Sequence, residues 1–172
     1  MQTVRLPDPD GLCKLVEAVE VSVRSPVARA LLGAVAGFGA TVAMSGVMLT
    51  TQRLIGQQPP KQIVETGLEV GGVADPDRVE PGTNALAAVA HLGYGSALGA
   101  LFALAQPRRA SALRGVAFGV AVWAANYGGV LPAVGILPPP SRDRPGRQPA
   151  IIASHLVYGG VLGAIVRRLA SA

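Results

Sequence analysis

Four long apolar runs constrain this chain more than anything else in it. They extend from Ala30 to about Leu49, from Ala85 to Ala105, from about Leu113 to Leu131 and from Ala150 to Val166. Inside their edges they carry no Asp, Glu, Lys or Arg; Arg114 marks the border of the third. Each is close to the roughly 20 residues that a helix needs to cross about 30 Å of hydrocarbon. Backbone polar groups in lipid must be satisfied within the segment, which leaves helix as the reading for such runs. A soluble bundle of very apolar helices competes, but four charge-free runs in 172 residues weigh against it.

Composition supports the same class. Half the residues are hydrophobic and only 15% are charged, against about 25% in soluble domains. The 22 glycines and 14 prolines suit close-packed helices, not a coiled coil or a disordered tail. A single cysteine, Cys13, excludes a disulfide within the chain and an all-cysteine metal site. The expected fold is an all-α integral membrane domain of four transmembrane helices over residues 27–169. Residues 1–26 should form a short amphipathic helix, with Asp10 as N-cap and Leu12, Leu15, Val16, Val19 and Val23 on one face. Asp8, Asp10, Glu17 and Glu20 and the lack of a central apolar stretch argue against a cleaved signal peptide.

Lys and Arg placement favours both termini in the cytoplasm. That orientation puts nine basic residues inside, among them Arg108, Arg109, Arg114, Arg167 and Arg168, and six outside. The basic stretch Arg142–Arg147 argues the other way.

The second and fourth runs share a decapeptide. Residues 91–100 read HLGYGSALGA and residues 155–164 read HLVYGGVLGA, so seven of ten positions match. The first and third runs match more weakly: Gly33 and Gly37 align with Gly115 and Gly119, and Gly46 with Gly128. These matches predict a tandem duplicated helical hairpin with pseudo-two-fold symmetry about the membrane normal. Each run also carries a G-x-x-x-G: Gly33 and Gly37, Gly95 and Gly99, Gly115 and Gly119, Gly159 and Gly163. Glycines four apart lie on one face and let helix backbones approach closely, which is a packing signal and not a chemical one.

His91 and His155 each stand four residues before a glycine of these pairs, on the glycine face and toward protein. With Tyr94, Tyr158 and Asn126 they form the candidate polar cluster, in the outer half of the membrane. Trp123, Tyr127, Thr41 and Ser45 are within reach of the same zone. Polar groups at that depth are costly unless paired. The plainest role is structural: interhelical hydrogen bonds that hold the bundle. Proton or solute handling past His91 and His155 is the main alternative, making the protein a small transporter or channel component. Axial haem ligation in an electron-transfer subunit is the second. Zinc needs more ligands than two histidines supply, so no metal or cofactor is assigned.

No enzyme constellation is present. The runs contain no carboxylate, and the glycines do not form a phosphate loop after a strand. The pI near 10.1 reflects arginines flanking the runs and not a nucleic-acid-binding stripe. The expected partner is the lipid bilayer, with a second copy or another membrane protein as further choices.

The paired His-x-x-Tyr-Gly segments, Leu137-Pro138-Pro139-Pro140, Pro59-Pro60-Lys61-Gln62-Ile63 and Arg167-Arg168 together resemble the YagU-like family of small bacterial inner-membrane proteins, a group named for a domain of unknown function. The likeness covers residues 27–169. It implies four spans and an inner-membrane home, and it carries no reaction, ligand or catalytic residue.

Overall fold

The structure is a computed structural model that describes residues 25–51, 81–106, 110–143 and 145–171. The amphipathic segment with Cys13 and the Pro59–Glu65 stretch lie outside the described residues. Helix α1 spans Pro26–Thr50, α2 Pro81–Ala105, α3 Ala112–Ala125, the one-turn α4 Leu131–Ala133 and α5 Arg147–Ser171. A π-helical turn, Asn126–Val130, joins α3 to α4, and a 3-10 turn covers Pro140–Arg142. There is no strand among the described residues.

The helix starts follow from local chemistry. Ser25 caps α1 by accepting from the Ala28 N–H at 3.1 Å, with Pro26 at the first helical position, where a missing N–H costs nothing. Ser111 caps α3 in the same way, accepting from the Arg114 N–H at 3.2 Å. The end of α4 is a left-handed cap: Gly135 has φ 77°, its N–H bonds the Pro132 carbonyl at 3.1 Å, and the Ile136 N–H bonds the Leu131 carbonyl at 3.0 Å.

Four stretches of helix are long and apolar enough to cross a membrane: Pro26–Thr50, Asn84–Ala105, Ala112–Ala133 and Arg147–Ala170. The third differs from the sequence expectation. The apolar run reaches only to about Leu131, yet helical backbone continues through Pro132 to Ala133. Proline lacks an N–H, and its ring collides with the carbonyl four residues back. The chain accommodates this by widening one turn, so that the Leu131 N–H reaches the Asn126 carbonyl five residues back.

Side chains are distributed as lipid requires. On α1 the inward positions are small or flexible: Gly33, Ala36, Gly37, Ala40, Thr41, Met44 and Met48. The outward positions are Val27, Leu31, Val35, Phe38, Val42 and Leu49. Large exposed apolar groups recur on α2 at Leu86, Val89, Leu101 and Leu104. A soluble monomer rarely leaves so much contiguous apolar surface in water.

Packing is pairwise. Helix α1 lies along α2, and α3 lies along α5. The backbones meet at glycines. A Cβ at Gly33 would stand 2.6 Å from the Gly99 carbonyl oxygen, and one at Gly37 would strike the Gly95 carbonyl. A Cβ at Gly115 would strike the Gly159 carbonyl, and one at Gly119 the His155 carbonyl. The two pairs join chiefly through α1 against α5. Among the described residues, α2 and α3 have no backbone contact of comparable extent. Long side chains bridge them instead: Arg114 Nη1 donates to Gln106 Oε1 at 3.0 Å, Phe102 and Phe118 meet at 5.2 Å between ring centroids, and Tyr94 meets Asn126.

Candidate functional site

Behind the α2–α3 bridge lies a cavity of about 120 Å³. Thr41, Met44 and Met48 of α1 line it, with His91, Tyr94, Gly95 and Leu98 of α2 and Ile151, His155 and Tyr158 of α5. Val122 and Trp123 of α3, Asn126 and Tyr127 of the π turn, and Leu131 complete the wall. All five members of the polar cluster read from the sequence, His91, Tyr94, Asn126, His155 and Tyr158, therefore face one space. Trp123, Tyr127 and Thr41 face it too; Ser45 does not line it. The apolar half of the wall, chiefly Met44, Met48, Leu98, Val122 and Ile151, had no signal in the sequence beyond membership of an apolar run.

The polar groups separate into those used by the fold and those left over. Thr41 Oγ1 donates to the Gly37 carbonyl at 2.7 Å, within its own helix. The Tyr158 hydroxyl donates across the bundle to the Gly95 carbonyl at 2.8 Å, and Tyr158 is only 3% exposed. That tie uses the second lone pair of a carbonyl already engaged in a helix. Tyr94, its partner in the repeated decapeptide, has a different setting: it is 53% exposed. Asn126 Nδ2 donates to the Tyr94 hydroxyl at 3.0 Å and to the Val122 carbonyl at 2.8 Å.

His155 Nδ1 lies 2.9 Å from the Ile151 carbonyl. A carbonyl only accepts, so Nδ1 carries the proton and the neutral ring keeps Nε2 as an acceptor. His91 makes no side-chain hydrogen bond among the described residues, and both imidazoles line the same cavity. Two further donors are left over. Trp123 Nε1 and the Tyr127 hydroxyl are shut away from solvent with no hydrogen-bond partner among the described residues. Tyr127 as a whole is 2% exposed, and its ring stacks on Trp123 at 6.3 Å.

Among the described residues no Asp, Glu, Lys or Arg lines the cavity. Among the described residues no group of three or more His, Cys, Asp or Glu comes together as metal ligands would. The described wall offers hydrogen bonding and apolar contact.

No curated protein and no solved structure matches the chain significantly. A model of a family of unknown function, DUF6789, matches residues 27–172, which takes in the described helices from the second residue of α1 onward. The chain belongs to that family.

Proposed function

We propose that this is a non-enzymatic, glycine-packed four-helix membrane protein whose cavity, lined by paired His and Tyr residues, binds a small molecule inside the bilayer. One observation carries the reading. Polar side chains from four helices and the π turn line a single space, and His91 there makes no side-chain hydrogen bond among the described residues. Polar groups in an apolar surround are costly unless paired, so a space they line is suited to a molecule that hydrogen-bonds with them. The tandem hairpin, with its repeated His-x-x-Tyr-Gly decapeptide, belongs to the same reading. So do the likeness to the YagU-like proteins and a bacterial inner-membrane location with both termini cytoplasmic.

A transporter or channel component is the second reading, supported by the two imidazoles sharing one cavity. The haem reading has less support. About 120 Å³ is well below even the roughly 300 Å³ at the small end of drug-sized pockets.

Cysteine labelling tests the binding reading. In a Cys13→Ser background, Leu98→Cys should react with a small uncharged methanethiosulfonate while Ala40→Cys, fully enclosed between helices, should not. The reaction needs thiolate, and so a cavity that polar molecules reach. A Leu98→Cys protein as unreactive as Ala40→Cys would remove the basis for a binding cavity.

A further inference from the structure

We propose that the cavity binds a small uncharged alcohol with a compact apolar body, whose hydroxyl donates to Nε2 of His155 and is met at its oxygen by His91. The proposal rests on the binding reading above and names the ligand class.

The polar demand of the cavity comes from its two imidazoles. His155 Nδ1 gives its proton to the Ile151 carbonyl at 2.9 Å, so Nε2 of the neutral ring is an acceptor and calls for a donor. No hydrogen bond among the described residues fixes the tautomer of His91, so its ring can present an N–H or a lone pair. Trp123 Nε1 and the Tyr127 hydroxyl, although they belong to lining residues, are closed off from any small molecule. The free nitrogens of His91 and His155 are not among such closed-off atoms. The other polar side chains are committed: Thr41 to Gly37, Tyr158 to Gly95, and Tyr94 with Asn126. The site therefore asks for one donor, for His155, and one acceptor, for His91.

That pattern selects the ligand's polar group. The described wall holds no Asp or Glu for an ammonium and no Lys or Arg for an anion, so a charged ligand would lose its hydration with no counter-ion in return. A primary amide carries two N–H groups and a carbonyl, more than two imidazoles can match. A hydroxyl carries one hydrogen and an oxygen that accepts, which His155 and His91 can serve. Water has a spare hydrogen, and Met44, Met48, Leu98, Val122 and Ile151 give it nothing to bond. Those residues offer contacts to an apolar body instead. The volume of about 120 Å³ is close to the roughly 150 Å³ that accommodates a benzene ring in an apolar protein cavity.

The way in is from the bilayer. Helices α1 and α2, α3 and α5, and α1 and α5 pack directly on one another, whereas side chains bridge α2 and α3. Tyr94 stands at that bridge: it lines the cavity, is 53% exposed and is held to Asn126. An exposed side chain changes rotamer far faster than packed helices part.

The chain has two histidines, so nitrogen-15 labelling of the imidazoles gives one readable set of NMR signals for each. The protein in lipid nanodiscs, at a pH well above the ~6.5 of an ordinary imidazole, is titrated with benzyl alcohol. His91→Gln assigns the signals of His155. The expected result is a saturable upfield shift of the unprotonated Nε2 of His155. Benzyl methyl ether, which cannot donate, and toluene, which has no hydroxyl, should give none. Val122→Phe, which narrows the cavity, should abolish the shift. His155→Phe removes the acceptor and should weaken the apparent affinity read at His91 about five-fold, the equivalent of one ordinary hydrogen bond. A shift that rises without saturation overturns the proposal, as does an equal shift with the ether or a proton found on Nε2 instead of Nδ1. An Nε2 signal already at its hydrogen-bonded position without alcohol, and unmoved by it, means that water holds the site and overturns the proposal too. An unchanged affinity in His155→Phe overturns the assigned acceptor. If these fail while Leu98→Cys still labels, the cavity binds something else; if labelling fails too, the binding reading falls with them.

Discussion

Glycine does opposite things at different places on α2. At Gly95 a Cβ would collide with the Thr41 hydroxyl, and Thr41 is itself fixed by its bond to the Gly37 carbonyl. At Gly93 a Cβ would meet nothing within 4 Å. The same contrast holds on α5, where Gly159 abuts the backbone of Gly115 and Val116. Backbone cannot rotate away as a side chain does, so Gly159→Ala should destabilise by about 1–3 kcal/mol. Gly93→Ala should be neutral or mildly stabilising, because alanine restricts the unfolded chain and suits a helix better. Unfolding in mixed micelles with increasing SDS checks both, and equal transitions for the two variants would show that the glycine faces do not set the packing. The positions of the glycine pairs were legible in the sequence because a four-residue spacing defines a helical face. Whether a given glycine meets backbone, a hydroxyl or open space depends on a second helix, and spacing along one helix carries no information about its partner. That is also why Tyr94 and Tyr158, alike in the decapeptide, could not be told apart before the fold was known. One faces out and bonds Asn126; the other is enclosed and ties α5 to Gly95.

Among the elements, the π turn is the one that periodicity could not supply. A proline directly after an apolar run, as Pro132 is here, reads as a stop. The structure instead stretches one turn around it, and that turn sets Asn126 at the α2–α3 bridge and Tyr127 in the cavity wall. The stretch exists because a proline ring and an i−4 carbonyl cannot occupy the same space. Pro132→Ala should therefore let the turn tighten to α geometry and rotate the residues that follow it. The Trp123–Tyr127 stack would be disturbed, so near-UV circular dichroism should change while far-UV helix content is kept. An unchanged near-UV spectrum would mean that Pro132 does not hold the turn. Gly128 and Gly129, which meet nothing within 4 Å, permit the widened turn without supplying a contact to it.

For the whole molecule, hydropathy conveyed most of the architecture. Apolar runs of span length specify helices, and among the described residues four helices are long and apolar enough to cross a membrane. What it could not convey is which helices touch. The joining of the pairs through α1 and α5, with α2 and α3 bridged by side chains, follows from the volumes of residues distant in sequence. The cavity is a consequence of that asymmetry. Its polar members His91, His155, Tyr94, Tyr158 and Asn126 were legible because polar groups are conspicuous in apolar runs; that Trp123 and Tyr127 hold buried donors without a hydrogen-bond partner among the described residues became evident only from the fold. The central claim is that this polar cavity sits within the hydrocarbon of a membrane. Trp123 makes that directly measurable, since the chain has one tryptophan and it lines the cavity. In vesicles containing lipids nitroxide-labelled along the acyl chain, Trp123 emission should be quenched by those labels and be insensitive to iodide in the water. Strong quenching by iodide with no response to the acyl-chain labels would contradict the account.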